Sequence, residues 1–250
     1  MDPREMLALF DVVFDAQRAA VASLDATVRR SRAGGHPGQY ALDVAADDAI
    51  LEVLLPAGVA VVSEESGRSG PPDAEITVVL DPVDGSTNCA RGIPYWALSV
   101  CALDADGMLC ALVANGATGE RMTAIRGEGA WCDGAPIAPA PTTCIADAVV
   151  GVSGLPPRHL GWKQFRALGS AALILCDVAA GRVDAYLDVL DDRHSPWDYL
   201  GGALICREAG ALVEDAAGRE LVTADPDALR TMLAAATPEL LAELRTASAP

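Results

Sequence analysis

Histidine is scarce in this 250-residue sequence, with three copies, and none stands at ligand spacing from a cysteine, so no structural zinc site is expected. The seven cysteines (89, 101, 110, 132, 144, 176 and 206) are scattered, odd in number and without a C-x-x-C pair. They read as small buried hydrophobes of a reducing cytoplasm and not as a disulfide framework. No G-x-S-x-G element occurs and no histidine sits beside a nucleophile motif, which disfavours a serine or cysteine hydrolase. Positive charge is short as well: 18 basic residues face 35 acidic ones, a net charge of −17. Nucleic acid is therefore not an expected partner, because its binding rests on Lys and Arg neutralising phosphates. Anionic membrane surfaces are disfavoured for the same reason. No apolar run reaches the roughly 18 residues of a membrane span. The opening Met1-Asp-Pro-Arg-Glu-Met lacks the basic and apolar regions of a secretion signal. No internal repeat or low-complexity segment is visible, and a cytoplasmic location is expected.

What is present is core-forming material. At 51% hydrophobic content the chain can bury a large interior. We expect one compact unit of two halves, residues 1–142 and 143–250, with a seam at Pro136–Pro141. Residues 4–30 carry apolar side chains at helical spacing, including Met6, Phe10, Val13, Phe14 and Val21, which predicts one or two amphipathic helices. Arg32–Gln39 reads as a loop. A second helix is expected from Asp43 to about Leu55, bearing Asp47 and Asp48, then a short strand, Val59–Ser63, delivering Glu64 and Glu65. Residues 95–134 read as a β-meander with turn signals at Asp106-Gly107 and Asp133-Gly134. The second half is expected to hold strands at Ala148–Val152 and Val183–Val189 and a helix at Ala171–Ala180. A further helix opens at Trp197-Asp198 and stops at Gly210. Ala211–Glu214 is expected as the last strand, before a helix at Pro238–Arg245.

The chain is organised around Ile76-Thr-Val-Val-Leu-Asp81-Pro-Val-Asp84-Gly-Ser-Thr-Asn88. The first five residues read as a buried strand, rich in β-branched side chains. Pro82 cannot donate to a sheet ladder and Gly85 tolerates positive φ, so the strand is expected to stop and turn here. α/β proteins place ligands at such strand ends. Asp81 and Asp84 would share a small space, where two close carboxylates repel unless one is protonated or a cation lies between them. Hard oxygen ligands suit Mg²⁺, and the backbone N–H groups about Gly85–Thr87 suit an oxyanion. The competing reading is an acidic turn that caps a helix; the buried strand, the proline and the complete octapeptide favour the site. Gly169-Ser170 ahead of an apolar helix is a cap that could equally present backbone to a ligand, and Asp198 in a first helical turn suits either a cap or a metal ligand.

The order Glu64-Glu65-Ser66, Asp81-Pro-Val-Asp-Gly-Ser-Thr-Asn88, Trp197-Asp198 and Arg207-Glu-Ala-Gly210 resembles the inositol monophosphatase family along nearly the whole chain. The resemblance implies a layered αβαβα fold of the α+β or α/β class, a lithium-sensitive, Mg²⁺-dependent phosphomonoesterase and a homodimer. It implies two or three Mg²⁺ ions held by Glu64, Asp81, the Val83 carbonyl, Asp84 and Asp198. Glu64, Asp84, Ser86 and Asp47 are then the catalytic positions, with Ser86 orienting an attacking water activated by metal. Gly85 and Ser86 match phosphate contacts, and Gly169, Ser170, Ala171 and Asp188 match positions facing the substrate alcohol. Asp43-Val-Ala-Ala-Asp47 keeps the family's aspartate but not its threonine, an upstream lysine has no clear equivalent, and Asp188 stands where glutamate is frequent. The implied substrate is inositol monophosphate or a related polyol or sugar phosphate, with fructose 1,6-bisphosphate or histidinol phosphate as alternatives. A haloacid-dehalogenase-type phosphatase has its two aspartates two apart, whereas Asp81 and Asp84 are three apart about Pro82. A reading of another class is a non-catalytic, metal-binding regulatory module.

Overall fold

Asp2 accepts the Arg4 N–H and starts α1 (Pro3–Ser23), whose buried side chains Met6, Phe10, Val13, Phe14, Gln17 and Val21 follow the helical repeat. The computed structural model describes residues 1–35 and 38–248. His36 and Pro37, within the loop expected at Arg32–Gln39, lie outside the described residues, as do Ala249 and Pro250. After α1 come α2 (Ala26–Arg30), α3 (Ala41–Leu54), β1 (Ala60–Ser63), β2 (Gly67–Ser69), β3 (Thr77–Asp84) and α4 (Ser86–Arg91). The expected meander follows as β4 (Ala97–Asp104), β5 (Gly107–Asn115), β6 (Arg121–Ile125), β7 (Gly129–Cys132) and β8 (Ala135–Pro136). The remaining elements are β9 (Val149–Ser153), β10 (Gln164–Arg166), α5 (Ala171–Ala179), β11 (Ala185–Asp188), α6 (Pro196–Ala209), β12 (Leu212–Asp215), β13 (Met232–Ala235) and α7 (Pro238–Ser248).

Two sheets result, one of eight strands in the order β2-β1-β3-β4-β5-β6-β7-β8 and one of five in the order β10-β9-β11-β13-β12. The alternation of side chains along each strand divides the core into layers. Val78 and Leu80 of β3, Leu98 and Val100 of β4, and Leu112 of β5 pack with Phe10 and Phe14 of α1 and Ile50 of α3. Their neighbours Val79, Cys101 and Val113 face the opposite way, onto Leu175 of α5 and Leu200 and Leu204 of α6. The small sheet repeats the device: Tyr186 and Ala234 meet the α5–α6 layer, while Leu187 and Leu233 meet Leu240 and Leu244 of α7. The order helix, sheet, helix, sheet, helix is the expected αβαβα sandwich. It explains the unbroken apolar runs of the strands, which are covered on both faces. Truncating the fully buried Phe10 or Phe14 to alanine would cost about 3–5 kcal/mol.

Three expectations need correction. Ala211–Glu214 is not the last strand, because β13 follows it and pairs with both β11 and β12. β13 is a short Met-Leu-Ala-Ala run, whose alanines carry little strand preference. β10 was also missed; its three residues are exposed at a sheet edge and have no apolar alternation. β3 does not stop before Pro82 but runs on to Asp84. Five of the seven cysteines are buried, while Cys132 and Cys144 are partly exposed. No described helix is long and apolar enough to cross a membrane.

Candidate active site

The continuation of β3 through Pro82 sets the geometry of the acidic pair. Asp81 pairs with Ser99 of β4 and Asp84 with Ala97, so three steps on β3 match two on its partner. That extra residue is a β-bulge, the setting in which a sheet accepts a proline. In a regular strand, residues three apart point to opposite faces. The bulge changes that parity, and oxygen atoms of Asp81, Asp84 and Asp198 come within 4.8 Å of one another. Gln17, buried on α1, donates to the Pro82 carbonyl at 2.9 Å and secures the bulge from behind. Its own Oε1 is buried without a partner among the described residues. The chain then turns at Gly85, with φ +92°. A Cβ there would lie 3.0 Å from the Gly169 carbonyl and 3.1 Å from that of Tyr95, so both conformation and space demand glycine.

Each remaining carboxylate arrives on its own element. β1 runs parallel to β3 with Ser63 opposite Leu80, which puts Glu64 beside the Asp81 end. Asp198 occupies the first turn of α6, where its Oδ2 accepts the Ser195 N–H at 2.7 Å. Cap and cluster member, the two roles left open by the sequence, thus coexist in one side chain. Asp84 Oδ2 accepts the Ser170 hydroxyl at 2.5 Å and the Ala172 N–H at 2.7 Å, both at the start of α5. Asp81 accepts the Val83 N–H at 2.8 Å, and the Val83 carbonyl accepts the Ser86 hydroxyl at 2.9 Å.

The electrostatics are those of acids held together without enough countercharge. Burial pushes the Glu64 carboxyl up to about 8, with Asp198 and Glu65 adding repulsion and a hydrogen bond to Asp81 opposing it. A carboxyl–carboxyl hydrogen bond requires a proton on one of the two, which such a shift supplies at neutral pH. Burial drives Asp81 well above the usual range, helped by Glu64, Asp84 and Asp198. Asp198 is raised to about 7, chiefly by burial, against the opposing pull of His194. Asp84 is also raised by burial, although its bonds to Ser170 and Ala172 hold it down in part. None of these four acids forms an ion pair with Arg or Lys among the described residues. Hard oxygen donors, mutual repulsion and no guanidinium between them fit a divalent cation such as Mg²⁺.

Two cavities open on the cluster. One, of about 330 Å³, is lined by Asp84, Asp198, Gly169, Ser170, Ala171 and His194 among others. The other, of about 280 Å³, is lined by Glu64, Glu65, Gly85, Ser86, Thr87 and the backbone turn Gly38–Tyr40 with its neighbours. The structure therefore brings together Glu64, Asp81, Val83, Asp84, Gly85, Ser86, Gly169, Ser170, Ala171 and Asp198. Asp47 stands behind them on α3, lines neither cavity, and accepts the Ser63 hydroxyl at 2.5 Å. Burial raises its carboxyl, against the bonds from Ser63 and Ser66.

Asp188 is placed differently from what the resemblance implies. Its side chain is fully buried and is taken up by His194 Nδ1 at 2.6 Å and the Leu190 N–H at 3.1 Å. His194 is the side chain that reaches the cavity, and its Nε2 lies 3.3 Å from the Tyr186 hydroxyl. Burial alone would lower this imidazole, but the bond to Asp188 and the charges of Asp198 and Asp84 raise it. Sequence reasoning missed both His194 and Gln17. The available signals were a histidine three residues before Trp197, and a glutamine on the apolar stripe of Val13, Phe14 and Val21.

The chain is similar to known proteins in sequence and in fold. A model of the inositol monophosphatase family matches residues 12–249. A fructose-1,6-bisphosphatase/inositol-1-monophosphatase of Archaeoglobus fulgidus is 34% identical over 233 residues, 88% of either chain. The Nus factor SuhB of Vibrio cholerae is 36% identical over 172 residues, and the match spans 63% of its length. Among solved structures, an extragenic suppressor from Pyrococcus furiosus superposes with a TM-score of 0.83 at 28% identity, covering 96% of this chain and 99% of its own. With its family model matched almost from end to end and its fold shared, this chain belongs to the inositol monophosphatase family.

Proposed function

We propose that the chain is a Mg²⁺-dependent phosphomonoesterase acting on a small polyol or sugar phosphate, with inositol monophosphate as the leading substrate. The observation that carries this reading is the meeting of Asp81, Asp84 and Asp198 within 4.8 Å beside two cavities. Family membership and a relative that bears both phosphatase names agree with it. Glu64, Asp81, the Val83 carbonyl, Asp84 and Asp198 would hold two or three ions. Bound Mg²⁺ supplies charge neutralisation for phosphoryl oxygens and makes water more acidic.

The chain's own groups do the rest. Gly85 and Ser86 receive the phosphate, with the Ser86 hydroxyl exchanging its Val83 bond for one to the attacking water. Glu64, ionised once a cation offsets the repulsion of its neighbours, would accept that water's proton, while Asp47 holds the Ser63–Glu64 corner from behind through Ser63. Gly169, Ser170, Ala171 and His194 line the side from which the alcohol leaves. The same reading carries lithium sensitivity, a homodimer and a cytoplasmic setting, with neither nucleic acid nor membrane as partner.

Phosphate release from inositol 1-phosphate, fructose 1,6-bisphosphate, histidinol phosphate and a nucleotide monophosphate tests the proposal, with Mg²⁺, with EDTA and with Mg²⁺ plus Li⁺. Release that needs Mg²⁺ and falls with Li⁺ is expected. One observation favours a second, regulatory reading: a relative bears the name Nus factor. Tight Mg²⁺ binding with no release from any of the four would favour it.

A further inference from the structure

Away from the acidic cluster, a cavity of about 490 Å³ opens between α1 and the segment that leaves α4. Arg18, Val21 and Ala22 reach it from α1, on the i, i+3, i+4 stripe of one helix face. Ile93 and Trp96 reach it from the segment after α4, and Arg29 from α2. No Asp or Glu is among its described walls. An apolar hollow with a few placed polar groups is the usual make-up of a small-molecule site.

Its two guanidiniums are unpaired, in a chain of net charge −17. Arg4, Arg121, Arg126, Arg182, Arg219 and Arg245 are each paired with a carboxylate. Arg18 and Arg29 form no such pair among the described residues. Both are held nonetheless. Arg29 Nε donates to the Leu24 carbonyl at 2.9 Å, which fixes the group and leaves its terminal nitrogens available. Arg18 stands over the Phe14 ring, 5.5 Å from its centre. Trp96 is buried and fixed as well, since a Cβ on Gly116 would lie 1.9 Å from its indole. A set aromatic wall beside two held cations suits an aromatic anion. Its ring packs on the indole, and its charged group takes paired, charge-assisted hydrogen bonds.

The cavity adjoins the supports of the turn that carries the acids. Gln17, next to Arg18, donates to the Pro82 carbonyl at the bulge. The Trp96 Cα lies 3.3 Å from the point where a Gly85 Cβ would stand. The Tyr95 carbonyl accepts Asn88 Nδ2 at 2.7 Å. A ligand seated between α1 and Trp96 favours this arrangement, and so does a cation that relieves the repulsion of the acids. Two ligands that favour one arrangement strengthen each other's binding by equal factors.

We propose that this cavity is an effector site for a small aromatic carboxylate or phosphate, whose occupancy tightens Mg²⁺ binding at the carboxylate cluster. The site itself goes beyond the phosphomonoesterase reading; only the coupling rests on the metal which that reading invokes.

Calorimetry in EDTA with indole-3-acetate, phenylphosphonate and the uncharged indole-3-acetamide tests the site. At least one of the anions should bind about tenfold or more tighter than the amide, the usual worth of a charge-assisted contact, and the tighter of the two names the preferred group. Arg18→Gln and Arg29→Gln should each weaken that anion about tenfold and leave the amide within about twofold. Ala22→Phe, which fills the cavity from an exposed helical position, should abolish binding of all three. Melting temperatures identify any variant that loses the fold, and the comparison of acid with amide needs no variant. Equal binding of acids and amide, or anion binding that the variants leave untouched, overturns the site. A dimer that Ala22→Phe splits, with no probe bound, overturns it as well and gives this face to a second copy. With indole-3-acetate saturating, Mg²⁺ should bind about fivefold or more tighter, and an unmoved Mg²⁺ titration overturns the coupling. A protein that binds Mg²⁺ and hydrolyses nothing fails the phosphomonoesterase reading alone, because every arm here reads binding.

Discussion

Asp84 at the end of β3 and Ser170 at the N-cap of α5 are joined by a 2.5 Å hydrogen bond across 86 residues of sequence. Ser170 has a second role, since its Oγ also accepts the Leu173 N–H at 3.3 Å to cap the helix. One hydroxyl thus anchors a core helix and orients a carboxylate of the cluster. Ser170→Ala should cost about 1 kcal/mol through the lost cap. It should also weaken Mg²⁺ binding about tenfold or more, as removal of a group that orients a metal ligand commonly does. Thermal unfolding in EDTA reads the first effect and a Mg²⁺ titration the second.

Gly85 combines positive φ with crowding, whereas Gly210, at φ +97°, has nothing within 4 Å of the point where a Cβ would stand. Gly210→Ala should therefore cost about 1 kcal/mol of stability, from backbone strain alone, and leave activity intact. Gly85→Ala should cost more and abolish most turnover, because the Gly169 and Tyr95 carbonyls must retreat. Equal effects of the two substitutions on activity would remove the packing argument.

The raised acids set a pH dependence. Glu64 is raised from 4.5 to about 8 and Asp198 from 3.8 to about 7. Between about pH 4 and 8 the folded chain then holds more protons than the unfolded one, so stability without metal should fall as pH rises through that window. Mg²⁺ binds the ionised form and should flatten or reverse the slope while releasing protons. At a hundred times its dissociation constant it should add about 2.7 kcal/mol. Melting temperatures at pH 5.5, 7 and 8, with Mg²⁺ and with EDTA, give the comparison. A melting temperature that climbs with pH in EDTA would contradict the assignment.

His194 stands between Asp188 and the cavity, so the two should act as a unit. His194→Gln should raise KM about tenfold with a smaller change in kcat, on the scale of one hydrogen bond to a charged or strongly polar group. Asp188→Asn should move KM the same way through the orientation of the ring. The double variant should be no worse than His194→Gln, which a double-mutant cycle measures.

Much of this was legible because local chemistry is self-declaring. The octapeptide from Asp81 to Asn88, the apolar strand before it and the cap at Gly169-Ser170 mark their elements whatever surrounds them. The parity change at Pro82 was not, because a bulge is defined by the partner strand and a single strand's sequence does not show its register. His194 was hidden for a like reason: its role comes from Asp188 and from a bridge to Arg230, both fixed by tertiary pairing. β13 was invisible because two alanines gain their strand geometry from β11 and β12, not from their own preference.

The central claim is that Asp84 belongs to a metal-dependent hydrolytic centre, and Asp84→Asn tests it most directly. The side chain keeps its shape and can still accept from Ser170 and Ala172, while one negative charge leaves the cluster. Phosphate release in saturating Mg²⁺ should fall about a hundredfold or more, with a melting temperature in EDTA equal to or above that of the wild type. An Asp84→Asn protein that releases phosphate at the wild-type rate would contradict the account.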